Sequence, residues 1–293
     1  MVEKTQPKNE KNPAEKQKVF FQTKITELND REIWVRGYPL REMIGNLSFA
    51  ECIFLTLRGF LPAEKEAKMF DAILSSMMSY TARAPNMLVG RFLVSVNPQV
   101  VLGMAASLCC AGPNTISPQD TAELIAQVCK RVEQDGFSRE EAARQVVEPY
   151  VKKRMFLPGL GHPDFKEEDP RTARLWELAA RWGFLGEKVA TFEIIRKAYL
   201  EGIGRKHLPI NIDGAMASLL SEMDFSPLQM ACIALLSLMP GIAAHMVEEI
   251  AEGQRFRMLP EEMELYVGPE RRHLPVERIV EPLAGPVKNE DKI

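Results

Sequence analysis

The chain has 293 residues, 46% apolar and 26% charged, which is ample material for a sizeable core. Its 37 Lys and Arg stand against 40 Asp and Glu, a net charge of −3. That balance supplies no positive field to hold nucleic acid and argues against a general DNA or RNA binder.

Residues 1–18 hold five Lys, three Glu and two Pro with almost no apolar surface, and predict a disordered tail. They contain no apolar stretch of the kind a secretory signal needs. Residues 283–293 read the same way. Between residues 20 and 35, two short β-like runs flank Asn29-Asp30, a turn signal, and predict a small N-terminal β-hairpin.

Everything beyond reads helical. Ser48 and Glu51 form a capping box, and Gly59 stops the helix that follows. Pro62 opens a second helix, expected to run to about Tyr80. Ser117-Pro118-Gln119-Asp120 reads as another box, and its helix ends near Gly136. Ser138, Asp169 and Ser226 start three more. Some ten helices and one hairpin make an all-α fold. Residues 230–244 are free of charge, but fifteen residues fall short of a membrane span, and Pro240-Gly241 is expected to break the helix. The five cysteines (52, 109, 110, 129, 232) have no C-x-x-C spacing and read as small core residues. They suggest a reducing compartment, hence the cytoplasm, and no metal site.

The helix-poor interruptions carry the chemistry-bearing residues. Residues 33–46, IWVRGYPLREMIGN, precede NLSFAE; residues 157–171 read LPGLGHPDFKEEDPR; residues 209–214 read PINIDG; residues 242–248 read IAAHMVE; and YVGP at 266–269 precedes Arg271-Arg272. These five segments, in this order, resemble the motifs of the citrate synthase superfamily. The short length and the Asn211-Ile212-Asp213-Gly214 wording resemble the branch with citryl-CoA lyase and the C-terminal part of ATP-citrate lyase.

The resemblance implies a two-domain helical fold. A large domain would span 19–117 and 221–282, a small one 118–220, and the active site would lie in the cleft between them. It also implies a homodimer and Claisen chemistry on a CoA thioester, either cleaving a 3-hydroxy-3-carboxyacyl-CoA or joining acetyl-CoA to a keto acid. No cofactor is implied beyond the CoA of the substrate, and neither nucleic acid nor membrane is an expected partner. His162 would hold the substrate hydroxyl or carbonyl. Asp213, in an apolar stretch directly before a helix, would manage the proton at the methylene carbon; burial raises and a helix N-terminus lowers its pKa. The other reading of Asp213 is a helix cap. Arg171, nine residues after His162, would pair with a carboxylate, and Arg272 would do so from a partner subunit. Lys166 would meet the CoA phosphates, and Gly159, Gly161 and Arg257 complete the CoA-binding candidates.

The chain also departs from the family pattern. Thr115 stands where the family has a histidine for the thioester enolate, with Asn114 beside it as a second possible donor. Tyr80 replaces another histidine, and Leu238 a substrate-binding arginine. These losses imply either an acid less charged than oxaloacetate or a non-catalytic homologue that binds acyl-CoA.

Overall fold

The computed structural model describes residues 21–278; both predicted tails lie outside them, as does Phe20. Among the described residues the chain forms eleven α-helices and one small antiparallel sheet. Strands β1 (Thr26–Leu28) and β2 (Ile33–Val35) pair with Thr26 opposite Val35. The turn between them is held by Asn29, whose Oδ1 accepts the amides of Arg31 and Glu32 at 2.9 and 3.0 Å. A third strand, β3 (Tyr38–Pro39), extends the predicted hairpin across Arg36-Gly37. Both turn residues have positive φ, 53° and 87°, the conformation that tight hairpins favour. The Arg36 guanidinium ties the sheet to the helical body by donating to the Thr56 carbonyl at 3.0 and 2.8 Å.

The helices are α1 (Leu40–Met43), α2 (Phe49–Arg58), α3 (Glu64–Ser76), α4 (Pro85–Val96), α5 (Val100–Cys109), α6 (Pro118–Asp135), α7 (Arg139–Lys153), α8 (Pro170–Trp182), α9 (Glu187–Ile203), α10 (Ile212–Glu222) and α11 (Pro227–Glu252). The Ser48 and Ser226 boxes form in full, and Gly59 and Gly136 close their helices at φ 88° and 71°. Helix α3 is shorter than expected, and residues 77–84 leave it to enter a large cavity.

Two cores organise the helices. The first gathers α2, α3, α4, α10 and α11 around Phe54, whose ring meets Phe70 and Phe225 edge-on at 5.5 and 5.3 Å. The second gathers α6, α7 and α9 around Leu124, Val146, Phe192 and Ile195. Helix α10 runs through the interior, with every residue from Gly214 to Leu220 buried, and it packs against α3, α6, α8, α9 and α11. Its small residues (Gly214, Ala215, Ala217, Ser218) let its neighbours approach from all sides.

Three sequence expectations change here. Helix α11 runs unbroken through Pro240 for 26 residues. An interior proline costs about 3 kcal/mol. Met230, Ile233 and Leu238 are buried before it and Ile242 and Met246 after it, each worth roughly 1.5–3 kcal/mol, so packing wins. By length and composition α11 could cross a membrane, but it packs on α3, α4, α5 and α6, and its Glu249 is paired with Arg91 at 2.6 Å. It is a core helix of this fold. Cys109 and Cys232 are exposed rather than core residues, because they fall on the outward faces of α5 and α11. The Ser117 box does not close, for a reason that belongs to the site.

The described residues up to Arg255 form one compact unit, and the described residues from Phe256 onward form another. In the second unit, two single 3-10 turns (Glu261–Met263 and Val276–Arg278) and a Tyr266 hydroxyl donating to the Pro269 carbonyl at 3.0 Å are described.

A methyl group at Gly241 would collide with the Met78 carbonyl oxygen. Helix propensity alone gives Gly241→Ala a gain of about 1 kcal/mol, whereas overpacking gives a loss of roughly 1–3 kcal/mol. We expect the loss, read as a lower urea midpoint; a raised midpoint would mean that the helix tolerates displacement here.

Candidate active site

Two of the predicted loops are zipped together. Leu160 and Ile210 form an antiparallel bridge. Around it Gly161 N–H donates to the Pro209 carbonyl at 2.8 Å and Asn211 N–H to the Gly159 carbonyl at 3.0 Å. The Asn211 side chain adds a bond from Nδ2 to the Gly161 carbonyl, 3.0 Å. Gly159 and Gly161 have φ of 85° and 80°. They differ in purpose. A Cβ at Gly159 would fall 2.6 Å from Phe192 Cζ and 3.0 Å from Gly214 Cα, so its small size serves packing. At Gly161 nothing lies within 4 Å, which leaves the main chain open to a ligand.

The zipped loops form one wall of a cavity of about 1000 Å³. Tyr80, Asn114, Thr115, Gly159, Gly161, His162, Arg171 and Asp213 all line it, as does Leu238. Eight of the predicted site residues thus share one space. Lys166 is outside that lining, an exposed side chain whose Nζ donates to the His162 carbonyl at 3.1 Å. Arg257 and Arg272 belong to the unit that starts at Phe256; Arg257 is half-buried there and Arg272 exposed.

Asp213 sits inside the first turn of α10, not before it. The cap is Asn211, whose Oδ1 accepts the Gly214 amide at 3.1 Å. With that task filled, the Asp213 carboxylate is released to the cavity. Its Oδ2 accepts the Ser117 backbone N–H at 3.2 Å. This is why the Ser117 box stays open: the amide that Asp120 would have taken goes to Asp213, and the Ser117 hydroxyl donates to Asp120 instead. Asp213 Oδ1 is buried and has no hydrogen-bond partner among the described residues. Burial pushes the carboxyl from the ordinary 3.8 up to about 6, against the Ser117 amide and Arg171, which pull it down. Asp120 and Asp169 add to the rise.

His162 is held by its own loop. Its Nδ1 accepts the amides of Asp164 and Phe165, both at 3.1 Å, which puts the proton of the neutral ring on Nε2. The ring stacks on Phe165 at 4.6 Å and meets Tyr80 edge-on at 5.2 Å. Burial lowers its pKa, with Arg171 and Lys166 acting the same way against Asp169. Arg171 Nη2 lies 3.3 Å from His162 Nε2. The guanidinium is gripped by Asp169 through two bonds, Nε to Oδ1 at 3.0 Å and Nη2 to Oδ2 at 2.7 Å. Asp169 is fully buried and also caps α8 through the Arg171 amide. The Arg171 fork lies over the Tyr80 ring at 5.1 Å.

Thr115 lines the cavity, but its hydroxyl is engaged in its turn, donating to the Cys110 carbonyl at 2.6 Å and accepting the Gly112 amide at 3.0 Å. Asn114 beside it is exposed. The sequence reading missed Ser117 and Asn211 as site residues, because each carried an ordinary capping or loop signal. It also missed Arg83 and Asp164, which pair across 81 residues and leave no local trace.

The Asp213 shift ties stability to pH. A carboxyl whose pKa is higher in the fold binds its proton more tightly there, so its favourable contribution is full below 3.8 and is lost as pH rises through about 6. Asp213→Asn removes that loss. The variant should be more stable than wild type at pH 7 by roughly 3 kcal/mol, with the gap shrinking toward pH 4. Urea titrations at several pH values check this; a constant gap would mean that Asp213 is not the titrating group.

A family model described as citrate synthase, C-terminal domain, matches residues 16–133 and 123–259. No curated protein sequence gives a significant match. Among solved structures, citryl-CoA lyase from Hydrogenobacter thermophilus is 32% identical over 88% of this chain and 98% of that one, with a TM-score of 0.77. ATP citrate lyase from Methanosaeta concilii, solved with (3S)-citryl-CoA, is 17% identical over 92% of this chain and 47% of that one, TM-score 0.71. Citrate synthase from Thermoplasma acidophilum is 16% identical over 88% and 96%, TM-score 0.54. The last two likenesses speak to the fold alone. With the family model spanning most of its length and a relative at 32% identity over 88% of it, the chain belongs to the citrate synthase superfamily.

Proposed function

We propose that the chain is an enzyme that breaks or makes a C–C bond beside a CoA thioester, with cleavage of a citryl-CoA-type substrate as the leading reaction. The observation that carries this reading is Asp213, a carboxyl raised to about 6, one oxygen orphaned, facing a cavity shared with His162 and Arg171. The 32% identity to a citryl-CoA lyase supports it.

In the cleavage direction the hydroxyl-bearing carbon becomes a carbonyl, and the methylene carbon next to the thioester gains a proton. His162 Nε2–H donates to the oxygen. Arg171, pre-set by Asp169, holds a carboxylate. Asp213 takes the hydroxyl proton as the C–C bond breaks and delivers it to the methylene carbon, and the synthetic direction reverses both transfers. Asn114 supports the thioester enolate oxygen; Thr115, its hydroxyl already engaged, does so only if its turn opens. Lys166 is the candidate for the CoA phosphates, once its bond to the His162 carbonyl opens. The chain needs no cofactor beyond CoA and works in a reducing cytoplasm. A competing reading, a non-catalytic homologue that binds acyl-CoA, draws on the engaged Thr115 hydroxyl and the apolar Leu238 in the lining.

We also propose a two-fold dimer whose small lobe, 118–220, and large lobe, 19–117 with 221–282, close over the substrate, with Arg272 entering the partner's site. Exposed apolar side chains on α4, α5 and α11, such as Val96, Val101 and Val247, support an interface. Light scattering should give twice 33.1 kDa; a monomer at micromolar concentration would count against it.

The decisive assay follows release of CoA thioester product from citryl-CoA. Asp213→Asn should lower kcat at least a hundredfold while leaving the KM within a few-fold. His162→Ala should impair both, because it removes a contact used in ground and transition states. Activity retained in Asp213→Asn would reduce Asp213 to a structural residue. Wild type inert with every CoA thioester in both directions would favour the non-catalytic reading.

A further inference from the structure

Two arginines line the cavity, and each is paired with an aspartate, but the two pairs are built differently. The Arg171–Asp169 pair is a two-bond fork on a fully buried carboxylate that also caps a helix. It is fixed. The Arg83–Asp164 pair is a single bond of 2.7 Å between side chains 74% and 37% exposed. Exposed pairs of that kind contribute little and open readily.

Asp164 is held much as a small-molecule carboxylate would be. Arg83 Nη2 donates to one of its oxygens and the Tyr80 hydroxyl to the other. The Tyr80 ring lies under Arg171 and meets the edge of His162, so the two donors that grip Asp164 belong to the same cluster as the candidate reacting groups. The Asp164 backbone has a separate task, donating its N–H to His162 Nδ1. Its side chain can therefore rotate away, once the Arg83 and Tyr80 bonds open, without releasing the histidine.

We propose that the Asp164 side chain is an internal stand-in for a substrate carboxylate, and that Arg83 with Tyr80 forms a second carboxylate subsite once Asp164 swings out. The inference rests on the reading of the cavity as a CoA-thioester site and adds to it the residues that hold the acid's second carboxylate. The acid handled here carries at least two carboxylates, one for Arg171 and one for Arg83. The apolar Leu238 in the lining is then no obstacle to a polycarboxylate, since the second cation comes from the α3–α4 connection instead. The position of Tyr80 against His162 favours the acid end of the substrate over the CoA phosphates.

The test uses Arg83→Gln, Asp164→Asn and the double variant of the full chain, with citrate binding measured by calorimetry and citryl-CoA kinetics alongside. Arg83→Gln should weaken citrate and raise the citryl-CoA KM about tenfold, through loss of a charge-assisted bond, with the change on KM rather than kcat. Asp164→Asn should shift both several-fold the other way, because the competing charge is gone. The double variant should resemble Arg83→Gln. Opposite signs separate a subsite from a merely structural pair, for which both single variants would weaken binding together. Equal signs, an unchanged citrate affinity in Arg83→Gln, or a wild type that binds no citrate would overturn the proposal. So would a loss confined to free CoA, which would assign Arg83 to a CoA phosphate. Citrate binding that depends on Arg83 in a wild type unable to cleave citryl-CoA would sink the lyase reading and keep the subsite.

Discussion

Asn211 is the residue on which the geometry of the site hangs. Its backbone amide closes on Gly159, its side-chain nitrogen on Gly161 and its side-chain oxygen on the Gly214 amide, all within 3.1 Å. One short side chain thus spans the histidine loop, the segment before α10 and the end of the buried helix. Two consequences follow. The loop that carries His162 has a fixed height relative to the first turn of α10. And the helix end is satisfied without Asp213, so that carboxylate can sit at a helix N-terminus yet remain a reactive group. An aspartate at position 211 could still cap, but it could not also donate to the Gly161 carbonyl.

The cavity follows a pattern in which every cation is matched but not equally bound. Asp169 holds Arg171 by burial and by two bonds, and the price of that buried charge is offset by a fork that satisfies both oxygens. Asp213 has no such partner. Its single amide contact is too weak to hold the pKa down against burial and two further aspartates. The difference between the two buried carboxylates, one forked by a guanidinium and one whose pKa burial pushes up to about 6, comes from where Arg171 points.

Much of this was legible in the residues. The helix starts at Ser48, Ser138, Asp169 and Ser226 are local events, written in two to four adjacent residues, and they form as read. His162, Arg171 and Asp213 were legible through motif spacing, and they converge on one cavity. What failed was whatever depends on distant partners. The Ser117 box looks like its neighbours in sequence, but its amide is claimed by a carboxylate 96 residues away. The break expected at Pro240 ignores the apolar surroundings on both sides of it, which only the packed structure reveals. Likewise, Arg83 and Asp164 are unremarkable loop residues until the fold brings them together.

The two amides that grip His162 Nδ1 have a consequence for how charge moves. An imidazole that accepts two N–H bonds on one nitrogen cannot be protonated there without breaking both, and its other nitrogen, which bears the hydrogen, stands 3.3 Å from a guanidinium that can only donate, so the two donors are reconciled by an acceptor oxygen that takes both. The ring is therefore an oriented dipole with a locked polarity, not a relay. It steadies an oxygen in one electronic state and neither stores nor forwards a hydrogen ion. Any proton traffic in the cavity has to run over carboxylate oxygens, and the histidine's contribution is direction.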